Sequence, residues 1–169
     1  MQHAWAGYEK YAFGMDELCP VSMTGNSRWG GMATTLVDSL DTLWLMDMKD
    51  EFFRARDWVK TKMNNHIDKK VSVFETTIRS LGGLLSAYDW SQDKAFLDQA
   101  EDLGHRLFKS FDTKSGIPYA QTNLETGESS NLSWSRGSTN IAEAGSLQLE
   151  FRALGRLTGV EDFKNKKEF

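Results

Sequence analysis

The stretch V-F-E-T-T-I-R-S-L-G-G-L-L-S-A-Y, Val73 to Tyr88, sets Phe74, Ile78, Leu81, Leu85 and Tyr88 at alternating steps of four and three. That period predicts one apolar stripe on a helix of about 15 residues. Within it stand Glu75 and Arg79, four apart, a spacing at which an exposed ion pair adds only about 0.2–0.5 kcal/mol. Gly82-Gly83 costs the helix on the order of 1–2 kcal/mol relative to alanine, a penalty tolerated where another backbone must come close. Phe74 and Ile78 flank the ion pair, so the helix is expected to be buried on more than one side. A carboxylate in such surroundings is either paired or tuned, and acid-catalysed glycoside cleavage needs a carboxyl held protonated near neutral pH.

The same period recurs outward from this stretch. Leu36, Leu40 and Leu43 start an earlier helix; Phe96, Ala100, Leu103, Leu107 and Phe111 form the next stripe; Leu147, Phe151, Leu154 and Leu157 form a later one. H-A-W-A-G-Y-E-K-Y-A-F reads as a first helix, and with prolines only at 20 and 118 the chain reads as nearly all helical. A loose repeat runs from Ser39-Leu40 to Phe52, from Ser80-Leu81 to Phe96 and from Ser146-Leu147 to Phe163. Self-similarity on this scale predicts stacked helical hairpins, either an α/α solenoid or its closed form, an α/α barrel. Each Ser-Leu follows a carboxylate within five residues: Asp38, Glu75 and Glu143. In a closed barrel that register would turn acidic groups toward one mouth, although helix macrodipoles also favour carboxylates near helix starts. The segment from Asp112 to Thr139, rich in Gly, Ser, Thr and Asn, reads as a long connection and a candidate wall of a ligand cleft.

Composition narrows the partners. The 169 residues, 40% hydrophobic and 26% charged, suit one domain or a piece of one. A net charge of −4 and a pI near 5.4 provide no broad basic surface, which argues against nucleic acid. No apolar run approaches the roughly 20 residues that cross a bilayer, and the start M-Q-H-A-W-A-G-Y lacks the features of a signal peptide. Cys19, the one cysteine, is expected to be a buried unpaired thiol, and Asn131-Leu132-Ser133 matches the N-glycosylation sequon. His3, His66 and His105 lack ligand spacing, and no zinc, nucleotide or serine-hydrolase signature is present. Most of the six tryptophans are assigned to packing; Trp29 and Trp134, among Ser, Arg and Gly, are the ligand-facing candidates.

Four ordered blocks carry a resemblance. H-A-W-A-G-Y-E-K-Y-A-F-G-M-D-E-L-C-P-V-S, T-L-V-D-S-L-D-T-L-W-L-M, V-F-E-T-T-I-R-S-L-G-G-L-L-S-A-Y and S-T-N-I-A-E-A-G-S-L-Q-L-E-F-R-A-L-G-R-L-T-G resemble the N-terminal blocks of the class I α-1,2-mannosidases, glycoside hydrolase family 47. The resemblance implies an (α/α)7 barrel, a bound Ca2+ at its base, and release of α-1,2-linked mannose from N-linked oligomannose glycans with inversion. By the same resemblance Glu75 matches the general acid, Arg79 an active-site arginine beside it and Glu143 a further active-site carboxylate. Asp38 and Asp41 lie in a block near the cavity, where helix capping and hydrogen bonding account for them equally well. These four are carried as substrate-binding residues.

The family's general-base candidates and calcium ligands belong to later blocks, so no metal ligand is expected within this chain. About five or six helices are expected here, and residues 1–169 read as the truncated N-terminal part of a single barrel domain. Localisation in the lumen of the secretory pathway, in the endoplasmic reticulum or Golgi, follows from the resemblance, with any membrane anchor outside the chain. The alternative is a glycan-recognition protein of the same family that binds mannose in quality control of misfolded glycoproteins.

Overall fold

The computed structural model describes residues 1–165. Helices dominate: α1 (Gln2–Ala12), α2 (Thr34–Asp38), α3 (Leu40–Leu45), α4 (Lys49–Lys62), α5 (Val73–Thr76), α6 (Gly82–Ser91), α7 (Lys94–Phe108), α8 (Ile141–Ala144), α9 (Gln148–Thr158) and α10 (Glu161–Asn165). Between α5 and α6 the ladder passes through a π-helical turn, Thr77–Leu81, so one continuous helix runs from 73 to 91. It ends where Gln92 turns left-handed at φ 56°.

Three helical hairpins follow the repeat. α3 packs on α4, α6 on α7 and α9 on α10, while α6 lies against α3 and α7 against α4 and α9. The leucine of each Ser-Leu pair, Leu40, Leu81 and Leu147, is buried, as are the closing phenylalanines Phe52, Phe96 and Phe163. Each such side chain removed from water stabilises the fold by about 1.5–3 kcal/mol before chain entropy is counted. The stripe Phe96, Ala100, Leu103, Leu107 and Phe111 is buried throughout, and Asp93 caps α7 by accepting from the Ala95 N–H at 3.0 Å.

Several expectations are corrected. The chain is mostly but not wholly helical: β1 (Glu17–Cys19) pairs antiparallel with β2 (Thr24–Asn26), and β3 (Lys70–Ser72), β4 (Gln121–Asn123) and β5 (Ser129–Ser130) form a three-stranded antiparallel sheet. The 112–139 connection therefore carries strands of its own. Along the central helix Leu81 and Leu85 of the expected stripe are buried, together with Val73, Thr76, Thr77, Ser80, Leu84 and Ala87, while Phe74, Ile78 and Tyr88 are half-buried. Thr77 can take that face because its hydroxyl is satisfied locally, donating to the Val73 carbonyl at 2.7 Å. Leu157 and Leu149 of α9 are exposed, as are Ile141, Leu45, Met46 and Phe53. Cys19 is half-exposed, its Sγ accepting from the Asn26 amide at 3.3 Å.

Gly83 explains the double glycine. A β-carbon there would lie 2.7 Å from the Val37 carbonyl oxygen, so its absence lets α2 rest directly on α6. Gly83→Ala must therefore push α2 away and should destabilise the intact protein by about 1–3 kcal/mol. Urea unfolding checks this, and a midpoint unchanged from wild type would contradict it.

Candidate active site

The site starts at a helix cap. Ser72, the last residue of β3, accepts from the Glu75 N–H at 3.2 Å, and the Val73 N–H donates to the Ala120 carbonyl at 2.9 Å. Ser72 and Glu75 have the spacing of a capping box, in which the glutamate side chain would reach back to the cap. Here the Glu75 carboxylate turns forward instead, and its Oε2 accepts from Arg79 Nε at 2.7 Å.

Arg79 sits within the π turn, a helix defect that is frequent at functional sites. Its Nη1 donates to Asp38 Oδ2 at 3.2 Å, so one guanidinium bridges the carboxylates of two helices. The guanidinium carbon lies 5.5 Å from the centroid of the Trp29 ring, and the indole N–H of Trp29 is held by Glu17 Oε1 at 3.0 Å. The bond to Glu75, opposed in part by desolvation, raises the affinity of Arg79 for its proton. Side-chain exposures of 30% for Glu75, 38% for Arg79 and 42% for Asp38 leave the cluster open to solvent. At that exposure such pairs are worth only about 0.2–1 kcal/mol, too little to explain why three elements converge here. Trp29, Met32, Thr34, Glu75, Thr76, Arg79 and Ser80 share one surface notch.

The remaining candidates lie apart. Asp41 is three residues from Asp38, but its Oδ2 accepts from Ser86 Oγ at 2.8 Å and ties α3 to α6. Glu143 is half-buried in the first turn of α8, a helix capped by Asn140, and among the described residues it forms no hydrogen bond or ion pair with Asp38, Glu75 or Arg79. The 113–119 and 131–145 segments line a separate groove of about 710 Å³. At its edge Asn131 is internally engaged: its amide donates to the Gly137 carbonyl at 2.6 Å and its oxygen accepts from the Ala120 N–H at 2.9 Å. The side chain of Trp134 is outside the described set. No three or more His, Cys, Asp or Glu side chains converge to hold a metal among the described residues.

With this geometry in place, comparison with known proteins is decisive. The model of glycosyl hydrolase family 47 matches residues 1–168. The chain belongs to this family. It is 50% identical over 166 residues to the endoplasmic reticulum mannosyl-oligosaccharide 1,2-alpha-mannosidase of Rattus norvegicus, a match covering 98% of this chain and 25% of that relative. A mannosyl-oligosaccharide 1,2-alpha-mannosidase of Arabidopsis thaliana is 48% identical, covering 99% of this chain and 30% of its own length. Among solved structures the fold is similar to an alpha-1,2-mannosidase from Trichoderma reesei, with a TM-score of 0.86 and 33% identity over 98% of this chain and 36% of that one. The family 47 chain described here thus spans about a quarter to a third of the relatives it matches.

Sequence reasoning missed Glu150. It stands on α9 beside Phe151, and its Cγ lies 3.7 Å from where a β-carbon on Gly82 would be. Its Oε2 is buried without a hydrogen-bond partner among the described residues, and burial pushes its carboxyl above the ordinary value of 4.5. The available signal was a glutamate embedded in the Leu147, Phe151 and Leu154 stripe. Because the folded-state value is raised, the neutral carboxyl's contribution is complete below the unfolded-state value and is lost as pH rises through the folded-state value. Glu150→Gln should therefore raise the melting temperature of the intact protein at pH 7.5 more than at pH 4. Thermal unfolding at the two pH values measures it; equal shifts would refute it.

Proposed function

We propose that this chain is the N-terminal part, residues 1–169, of an (α/α)7 barrel enzyme. In this reading the intact protein is an inverting, calcium-dependent α-1,2-mannosidase that trims mannose from N-linked oligomannose glycans. The observation that carries it is the Glu75–Arg79–Asp38 cluster, solvent-accessible and set beside Trp29, in a chain of family 47. Work in the lumen of the secretory pathway, in the endoplasmic reticulum or Golgi, accords with the name of the rat relative.

Glu75 acts as the general acid. Arg79 engages its Oε2, and Oε1, which accepts no hydrogen bond among the described residues, carries the proton to the glycosidic oxygen. As the proton leaves, the carboxylate gains negative charge, and the charge-assisted bond to Arg79 strengthens. Asp38 fixes the other end of the guanidinium, so Arg79 meets Glu75 through a single nitrogen. Arg79 and Asp38 line the sugar site; by the resemblance Glu143 is a further active-site carboxylate and Asp41 belongs to a block near the cavity. Inversion needs a second carboxylate roughly 6.5–9.5 Å from the acid to activate water. That base and the Ca2+ ligands are assigned beyond residues 1–169.

In the intact enzyme, Glu75→Gln keeps shape but removes the transferable proton. It should leave oligomannose binding within a few-fold and lower turnover by about 10²–10⁴, as read by calorimetric titration beside a mannose-release assay. Equal loss of binding and turnover would make Glu75 structural, whereas unaltered turnover would remove it as the acid. Residues 1–169 alone should release no mannose from oligomannose glycans with or without added calcium, and calcium-dependent release by the purified chain would overturn the assignment of the base elsewhere.

A further inference from the structure

We propose that Asp16 is a positioning residue of this site: its buried carboxylate fixes the Trp29–Thr34 loop and so holds the Trp29 ring over the Arg79 guanidinium. The inference rests on the reading of Glu75 and Arg79 as the glycan site. Asp16 is fully buried, yet its partners are backbone and hydroxyl donors. Its Oδ2 accepts from the N–H groups of Trp29 at 2.8 Å and Gly31 at 2.9 Å. Its Oδ1 accepts from the Met32 N–H at 2.8 Å and from both the N–H and hydroxyl of Thr34 at 3.2 Å. The Asp16 carbonyl accepts from the Thr35 N–H at 3.0 Å and the Thr35 hydroxyl at 2.6 Å.

The loop needs such an anchor. Gly30, Gly31 and Ala33 all have positive φ, at 110°, 80° and 54°, and alanine takes that conformation only when its surroundings impose it. Five donors converging on an acceptor-only group provide that imposition. The consequence falls on the site from both ends of the loop. Trp29, the first donor, faces Arg79, and Thr34, the last, opens α2, which delivers Asp38 to the same guanidinium. Gly30 also lies against Val71, the residue before Ser72; a β-carbon on Gly30 would be 3.0 Å from Val71 Cγ1.

The test uses the intact protein labelled with 5-fluorotryptophan, the Trp29 signal being assigned by its absence in Trp29→Phe. Asp16→Asn keeps the size of the side chain but turns one acceptor into a donor facing N–H groups. It should move or broaden the Trp29 signal and leave the other tryptophan signals in place. It should also lower kcat/KM for an α-1,2-linked mannobioside by about 10- to 100-fold. In the Trp29→Phe background it should cost less than in the wild-type protein, because the share of its effect carried by the Trp29 ring is already lost while the share carried by α2 and Asp38 remains. A folded Asp16→Asn protein with an unmoved Trp29 signal, or losses that multiply in the double variant, would overturn the proposal. Should Asp16→Asn fail to fold, Thr34→Val deletes one of the five bonds while keeping shape and is expected to shift the same signal by less; no shift would be equally fatal. Glu75→Gln assayed in parallel separates the two readings: full turnover there removes the acid assignment, while the fluorine signal still decides Asp16.

Discussion

Val37 presents its carbonyl oxygen 2.7 Å from where a β-carbon on Gly83 would stand, and the arrangement of the site descends from that contact. Asp38 is the next residue, so the approach of α2 to α6 delivers its carboxylate to Arg79, on the π turn immediately before α6. The ion pairs themselves do not hold the helices together; at their exposure each contributes at most about 1 kcal/mol. Burial of Leu36, Leu40, Leu81 and Leu84 is the larger quantity, at about 1.5–3 kcal/mol per side chain. Packing thus positions the charges.

A second set of constraints arrives from chain segments distant in sequence. The β3–β4–β5 sheet anchors the start of the Glu75 helix, with Ser72 capping it and Ala120 accepting from Val73. From the other side the loop at 29–34 covers Arg79 with an aromatic face. Glu75, Arg79 and Asp38 therefore belong to one rigidly backed cluster although α2 and the Glu75 helix are separate elements.

The helices were legible because burial along them follows period: the Phe96 to Phe111 stripe lies in the core as its spacing requires. The hairpin repeat was legible for the same reason. Along the central helix Leu81 and Leu85 are buried as the spacing requires, but the same face takes in Thr77, whose hydroxyl donates to the Val73 carbonyl, a partner that only a structure supplies. Short strands such as Gln121–Asn123 have no period long enough to register, and their pairing with Lys70–Ser72 is set by tertiary contact. Of the candidate carboxylates, Asp38 and Glu75 meet at Arg79, whereas Asp41, in the same short block as Asp38, turns to Ser86 because the helix breaks at Ser39. Asp16 went unread because four of its five donors are main-chain groups 13 to 18 residues away, invisible to any pattern of side-chain types.

The unfinished capping box at Ser72 has a mechanical corollary. Since the serine alone secures the Glu75 N–H, the glutamate side chain can change rotamer without unwinding the first turn of its helix. Only the contact with Arg79 tethers the carboxyl group among the described residues, and releasing it costs no more than about 1 kcal/mol at this exposure. The backbone is clamped while the carboxylate arm remains free to swing, so in the proposed role of proton donor Glu75 would follow a departing oxygen along its path without dragging the scaffold behind it.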